Sequence, residues 1–171
     1  MGKLDGKSAI VTGASRGIGQ EIAELFAAEG AKVVCVARTV SEGDHPLEGS
    51  LARTVKNITD AGGEAIAVAA NISLEEECLS LVEKARAAYG PVDILVNNAG
   101  VAKGGAFESI TDEEWQYDFD LKLMAAVRLS RLVLPSMKAN RWGRILNLLN
   151  TYAKTPEAGT APTSVTRRSE E

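Results

Sequence analysis

The sequence predicts an α/β fold, a parallel sheet covered on both faces by helices. Three observations carry that expectation. Short apolar runs alternate five times with longer segments whose apolar residues recur at helical spacing. The second run, Lys32 to Ala37, is β-branched and continuously apolar, as strands buried on both faces are. No hairpin signal joins one run to the next, so neighbouring strands need crossovers, which helices supply.

Each element follows in order. Ser8 to Thr12 reads as a short buried strand ended by Gly13. From Ile18, Ile22, Leu25 and Phe26 mark one face of a helix, and Gly30 supplies its stop. Lys32 to Ala37 is a second strand, and Thr39 to Gly49 a polar loop. Leu51, Val55 and Ile58 have helical spacing up to Gly62 and Gly63, and Glu64 to Ala70 is a third strand. Ser73 with Glu76 predicts a capping box before a helix carrying Cys78, Leu81, Val82 and Ala85, stopped at Gly90 and Pro91. Asp93 to Asn97 is a fourth strand. Thr111 with Glu114 predicts a second capping box, opening a long helix through Trp115, Phe119, Leu123 and Val127 that Pro135 limits. Arg144 to Leu149 is the fifth strand, expected at an exposed parallel edge. Residues 1–171 are expected to form one domain, with 162–171 a helix cut short or a polar tail.

Composition narrows the function. The chain has 171 residues, 45% of them apolar and 25% charged, enough for one sizeable core. A net charge of −4 argues against a nucleic-acid surface, although not against a single bound nucleotide. No apolar run approaches the roughly 18–20 residues that span a bilayer. The opening MGKLDGKSAIV lacks the apolar segment of a secretory signal. Cys35 and Cys78 have no metal-ligand spacing and read as buried thiols of a cytoplasmic protein. The single histidine, His45, sits in a polar stretch and reads as a solvated loop residue. Ser-His-Asp, Cys-His and multi-histidine metal chemistry are therefore not expected, nor is a metal site.

Between the first strand and first helix lies Thr12-Gly-Ala-Ser-Arg-Gly-Ile-Gly19. Its glycines give a tight turn and leave room for a pyrophosphate on the N–H groups that open the helix. The G-x-x-x-G-x-G spacing resembles the TGxxxGIG loop of the short-chain dehydrogenase/reductase family. Asn97-Asn98-Ala99-Gly100 matches that family's NNAG motif, and the TDEEW helix start and GRILN strand follow in the family's order. The resemblance runs from Gly6 to about Arg167. It implies a Rossmann-type doubly wound parallel sheet, incomplete at its C-terminal end, with a nicotinamide cofactor at the carboxyl ends of the strands. Gly13, Ser15, Arg16, Gly17, Ile18, Gly19, Asn98, Ala99 and Gly100 would hold that cofactor, with Asn71 and Ile72 flanking the adenine. The second strand ends in Arg38 and Thr39 where an acidic residue would favour NAD. Arg38 and Arg16 can pair with a 2′-phosphate, so NADP(H) is the preferred cofactor and NAD(H) the alternative.

The resemblance also implies hydride transfer between nicotinamide and a carbonyl or alcohol substrate. The family's proton donor is a tyrosine assisted by a lysine four residues on, a serine upstream and an asparagine in the long helix. Here the corresponding positions hold Thr163, Arg167, Asn150 and Lys122. A threonine hydroxyl is a far weaker acid than a phenol, whereas Arg167 can still hold a ribose or phosphate and Asn150 can still donate to a carbonyl. Tyr152, just beyond Asn150, is the one substitute proton donor, with Lys154 or Lys122 to assist it. Three readings stand: a reductase, a nucleotide-binding module without efficient turnover, and a truncated fragment of a longer reductase. The full-length family would form homo-oligomers; no nucleic acid or membrane partner is expected.

Overall fold

The computed structural model describes residues 2–101 and 104–169. Five strands, β1 (Ser8–Thr12), β2 (Lys32–Ala37), β3 (Glu64–Ala69), β4 (Ile94–Asn97) and β5 (Arg144–Asn147), form one sheet in the order β3-β2-β1-β4-β5. Every pairing is parallel. The chain steps outward from β1 to β3, then returns to the centre and builds the other half, so the order reverses between β1 and β4. A crevice opens at such a switch point, at the carboxyl ends of the strands.

Helices α1 (Gly17–Ala28) and α2 (Leu51–Asp60) cover one face, and α3 (Glu75–Tyr89) and α5 (Ala125–Ala139) the other. Successive strand residues divide between two cores, as the pleat requires. Ile10, Val34 and Leu95 pack with Leu81, Val82 and Leu129 on one side. Val11, Val33, Cys35 and Val96 pack with Ala23, Ala27, Leu51 and Ile58 on the other.

Four local expectations change. Leu25 is 59% exposed, while Gly19, Ala23 and Ala27 are the buried residues of α1. Small side chains fill the closest helix–sheet contact, and Ile22 and Phe26 pack at its margin. The Ser73–Glu76 capping box does not form: α3 begins at Glu75, after Leu74, without a side-chain cap. The Ser73 hydroxyl instead donates to Asn71 Oδ1 at 2.9 Å, and Glu77 accepts from the Asn71 N–H at 2.6 Å. The Thr111–Glu114 box is present and opens α4 (Asp112–Phe119). The long helix is not uniform: a π-helical segment, Asp120–Met124, joins α4 to α5, and α5 runs past Pro135 to Ala139. Last, residues 162–171, expected as a helix cut short or a polar tail, include a short helix, α6 (Thr163–Ser169), in which Thr163, Ser164, Thr166 and Arg167 are buried rather than solvated. Strand β5 is the sheet edge, with Leu146 40% exposed.

Candidate functional site: a crevice at the sheet switch point

The crevice has two compartments, of about 390 and 470 Å³, and Gly100 and Val101 line both. Thr12 at the end of β1 builds the ridge between them. Its buried hydroxyl donates to the Val96 carbonyl at 3.0 Å and accepts from the N–H groups of Asn98 and Ala99 at 3.0 and 3.1 Å. The Asn98 amide donates back to the Thr12 carbonyl at 2.8 Å. These bonds tie the ends of β1 and β4 together. Thr54 in α2 braces the glycine loop from below, donating to the Ala14 carbonyl at 2.8 Å.

Helix α1 starts on this ridge. A Cβ on Gly19 would collide with the Gly13 carbonyl and lie 2.5 Å from Asn98 Nδ2. At Gly17, φ is +54° and the space around a Cβ is open. The residue preceding the helix, Arg16, gives no side-chain cap, and the first turn holds no acidic residue. The opening N–H groups and the positive end of the helix dipole are therefore available to an anion.

The larger compartment extends from the glycine loop to the end of β2. Its wall includes Gly13, Ser15, Arg16, Arg38, Asn71 and Ile72, all expected together from the sequence. Arg38 donates to the Tyr117 hydroxyl at 3.0 Å. Arg16 turns back over the loop after β2, donating to the Gly49 carbonyl at 2.9 Å and to Thr39 Oγ1 at 3.2 Å, with its Nη1 2.7 Å from His45 Nδ1. His45, expected to be merely solvated, is exposed but belongs to this wall.

The smaller compartment gathers Ile18, Asn98, Lys122, Asn150, Tyr152, Thr163 and Arg167. The four positions that replace the expected catalytic set, and the substitute Tyr152, thus meet in one cavity. Behind them lies a network that the sequence did not disclose. Lys122 is 3% exposed and donates to Asp118 Oδ1 at 2.6 Å and to Thr163 Oγ1 at 2.8 Å. The Thr166 hydroxyl donates to the other Asp118 oxygen at 2.7 Å. Asp118 is 1% exposed, so its charge is balanced by Lys122 and solvated by Thr166 rather than by water. Only the i, i+4 spacing of Asp118 and Lys122 was visible in the sequence. Arg167 packs against Gly100, where any Cβ would collide with Nη2. Asn150 Oδ1 is buried without a hydrogen-bond partner among the described residues, so this cavity wall presents an acceptor that a ligand N–H or O–H would satisfy.

Among the described residues no group of three or more His, Cys, Asp or Glu side chains could hold a metal, and no helix is long and apolar enough to cross a membrane. Both cysteines are free thiols buried in the two cores, away from the crevice.

A doubly wound sheet with a glycine loop at its switch point defines a Rossmann-type domain. This chain belongs to the short-chain dehydrogenase family, whose profile matches residues 7–165. It is 40% identical over 154 residues to the ketoacyl reductase HetN of a Nostoc species, an alignment covering 90% of this chain and 51% of that protein. It is 39% identical over 145 residues to the 3-oxoacyl-[acyl-carrier-protein] reductase FabG of Escherichia coli, covering 85% of this chain and 55% of that one. The chain therefore spans about half the length of these curated relatives. Among solved structures, a metagenomic short-chain oxidoreductase in complex with NADP superposes with a TM-score of 0.88 at 36% identity, over 98% of this chain and 72% of that one. The L-sorbose reductase of Gluconobacter frateurii, complexed with NADPH and L-sorbose, gives 0.89 at 36% identity, over 99% and 62%.

Proposed function

We propose that this chain binds NADP(H) across both compartments and is a carbonyl or alcohol oxidoreductase by descent, with slow turnover as it stands. The residues fit the cofactor. The uncapped start of α1 suits a pyrophosphate. Arg16 in the glycine loop and Arg38 just after β2 suit a 2′-phosphate. The unpartnered Asn150 acceptor and the buried Arg167 suit the nicotinamide end. Bound there, the cofactor would supply the hydride. The neighbours that carry NADP or NADPH support a nicotinamide cofactor.

The observation that carries slow turnover is the 2.8 Å bond from Lys122 to Thr163. Thr163 stands where the proton donor is expected, and its hydroxyl is a poor acid near neutral pH. The ammonium beside it is committed to the buried Asp118 carboxylate, 2.6 Å away. The wall can still position a carbonyl oxygen: Asn150 has an amide to donate. Tyr152 is the phenol in the cavity wall, 37% exposed. A second reading, a nucleotide-binding module, follows from the same threonine if no turnover survives.

The test is to titrate NADPH and NADH by fluorescence, then follow NADPH absorbance with ketones, aldehydes and quinones. Tight NADPH binding with slow oxidation, lost in Tyr152→Phe, assigns the residual chemistry to that phenol. Slow oxidation unchanged in Tyr152→Phe removes Tyr152 from it. Binding without oxidation identifies the module; absence of binding to either nucleotide overturns the whole proposal. Installing the family set together (Lys122→Asn, Asn150→Ser, Thr163→Tyr, Arg167→Lys) should raise turnover by about 10²-fold or more, the usual worth of a positioned general acid.

A further inference from the structure

The loop between β2 and α2 is built, not loose. The Asp44 carboxylate accepts from the N–H groups of Val40 and Ser41 at 3.2 and 2.8 Å. Glu42 accepts from the Gly49 N–H and the Ser50 hydroxyl at 3.2 and 3.1 Å, and Ser50 caps α2. These bonds fold the middle of the loop back over the glycine turn and set His45 against Arg16.

The chemistry of that contact fixes the imidazole. A guanidinium has only donors, so at 2.7 Å from Arg16 Nη1 the His45 Nδ1 must be an acceptor. The Leu47 N–H donates to the same nitrogen at 3.0 Å. Both contacts require the neutral tautomer with its proton on Nε2. Arg16 is then held by three acceptors of one loop: His45 Nδ1, the Gly49 carbonyl and Thr39 Oγ1. Its Nε is buried and has no partner among the described residues, so the guanidinium keeps donor capacity unspent inside the larger compartment. His45 lines that compartment beside Arg38, and its remaining proton is a further donor there.

We propose that His45 is a specificity-determining residue for the cofactor: it positions the Arg16 guanidinium, and with it selects the 2′-phosphate of NADP(H) over the bare ribose of NAD(H). The inference rests on the NADP(H) reading above and adds a residue outside the glycine loop to it. Loss of an imidazole that orients a charged donor should be felt by NADPH alone, because NADH presents nothing to that donor.

The experiment measures dissociation constants for NADPH and NADH with the wild-type chain, His45→Ala and His45→Asn. Asparagine places Oδ1 where the imidazole has Nδ1, so it keeps the acceptor and removes the ring. His45→Ala should weaken NADPH about tenfold, the worth of one hydrogen bond to a charged group, with NADH changed less than about twofold. His45→Asn should recover most of that loss. A NADPH preference that survives His45→Ala overturns this inference alone. An asparagine variant no better than alanine overturns the acceptor role. A wild-type chain that binds both nucleotides equally overturns the reading of the arginines, and this inference with it.

Discussion

Lys122→Met asks how much of the crevice floor depends on one buried charge pair. Lys122 Nζ lies 2.6 Å from Asp118 Oδ1, and both side chains are 1% exposed. Methionine keeps the length of the chain and removes the charge. The Asp118 carboxylate is then left with the Thr166 hydroxyl, 2.7 Å away, as its partner among the described residues. Stripping one member from a buried pair costs about 3–5 kcal/mol, because the other charge stays out of water uncompensated. Against a total of about 5–15 kcal/mol that is a large fraction. At about 2–4 °C per kcal/mol for a domain of this size, the melting temperature should fall by roughly 6–20 °C. Asp118→Asn alone should also destabilise, since it leaves the lysine buried and charged. The two together remove both charges and should cost less than the sum of the singles by about 2 kcal/mol or more. Urea unfolding followed by the fluorescence of Trp115 and Trp142 measures all four corners of the cycle. A loss below about 1 kcal/mol for Lys122→Met, or additive singles, would refute the claim that the crevice floor depends on this charge pair.

Two further predictions concern the frame around the site. Gly19→Ala forces a methyl into the Gly13 carbonyl and the Asn98 amide, and the amide cannot retreat without breaking its bond to the Thr12 carbonyl. It should destabilise by about 1–3 kcal/mol and weaken nucleotide binding in the surviving folded fraction, read by melting and by NADPH titration. The thiols should resist alkylation in the native state at pH 8. Burial pushes Cys35 from 9.0 up to about 12, with the Glu24 carboxylate adding to it, and burial pushes Cys78 up to about 11. The sign follows from the unfolded chain releasing those protons first. The stability owed to the neutral thiols is whole below pH 9 and is lost as pH rises toward 11–12. Between pH 8 and 10.5 the wild-type chain should therefore lose stability more steeply than Cys35→Ala.

What the sequence made legible follows the range of the interactions concerned. The glycine loop was readable because tight turns and helix openings depend on residues within one short stretch. The β-branched runs of β1, β2 and β4 were readable because burial on both faces leaves no polar position. Leu25 misled because the spacing of α1 says which residues share a face, not how close the sheet lies. That distance is set by the approach of Gly19 to Gly13. The Ser73 box failed because Asn71 competes for the same hydroxyl. Pro135 removes one N–H from α5, yet Leu129, Val133 and Met137 bury the helix on both sides of it, and packing outweighs that single bond. The Asp118–Thr166 bond joins residues 48 apart, and the His45–Arg16 contact residues 29 apart. No local pattern announces such pairs.

The two ends of the crevice rest on different supports, and this separates binding from turnover. The phosphate end is held by the central strands: Thr12 bonds Asn98 and Ala99, and α2 braces Ala14 from beneath. Every substitution in the expected catalytic set lies elsewhere, on the π-helical segment, after the edge strand β5, or in α6. Beyond the parallel backbone ladder of β4 and β5, the Asn97 amide donates to Asn147 Oδ1 at 2.9 Å. Changes at Lys122, Asn150, Thr163 and Arg167 can therefore accumulate without touching the bonds that shape the glycine turn. His45 does not compensate for a missing proton donor either, because it lines the other compartment with its Nδ1 accepting from Arg16. Nucleotide affinity should accordingly persist in Lys122→Met once folding is accounted for. If affinity and stability fell together in that variant, the two supports would have to be a single one.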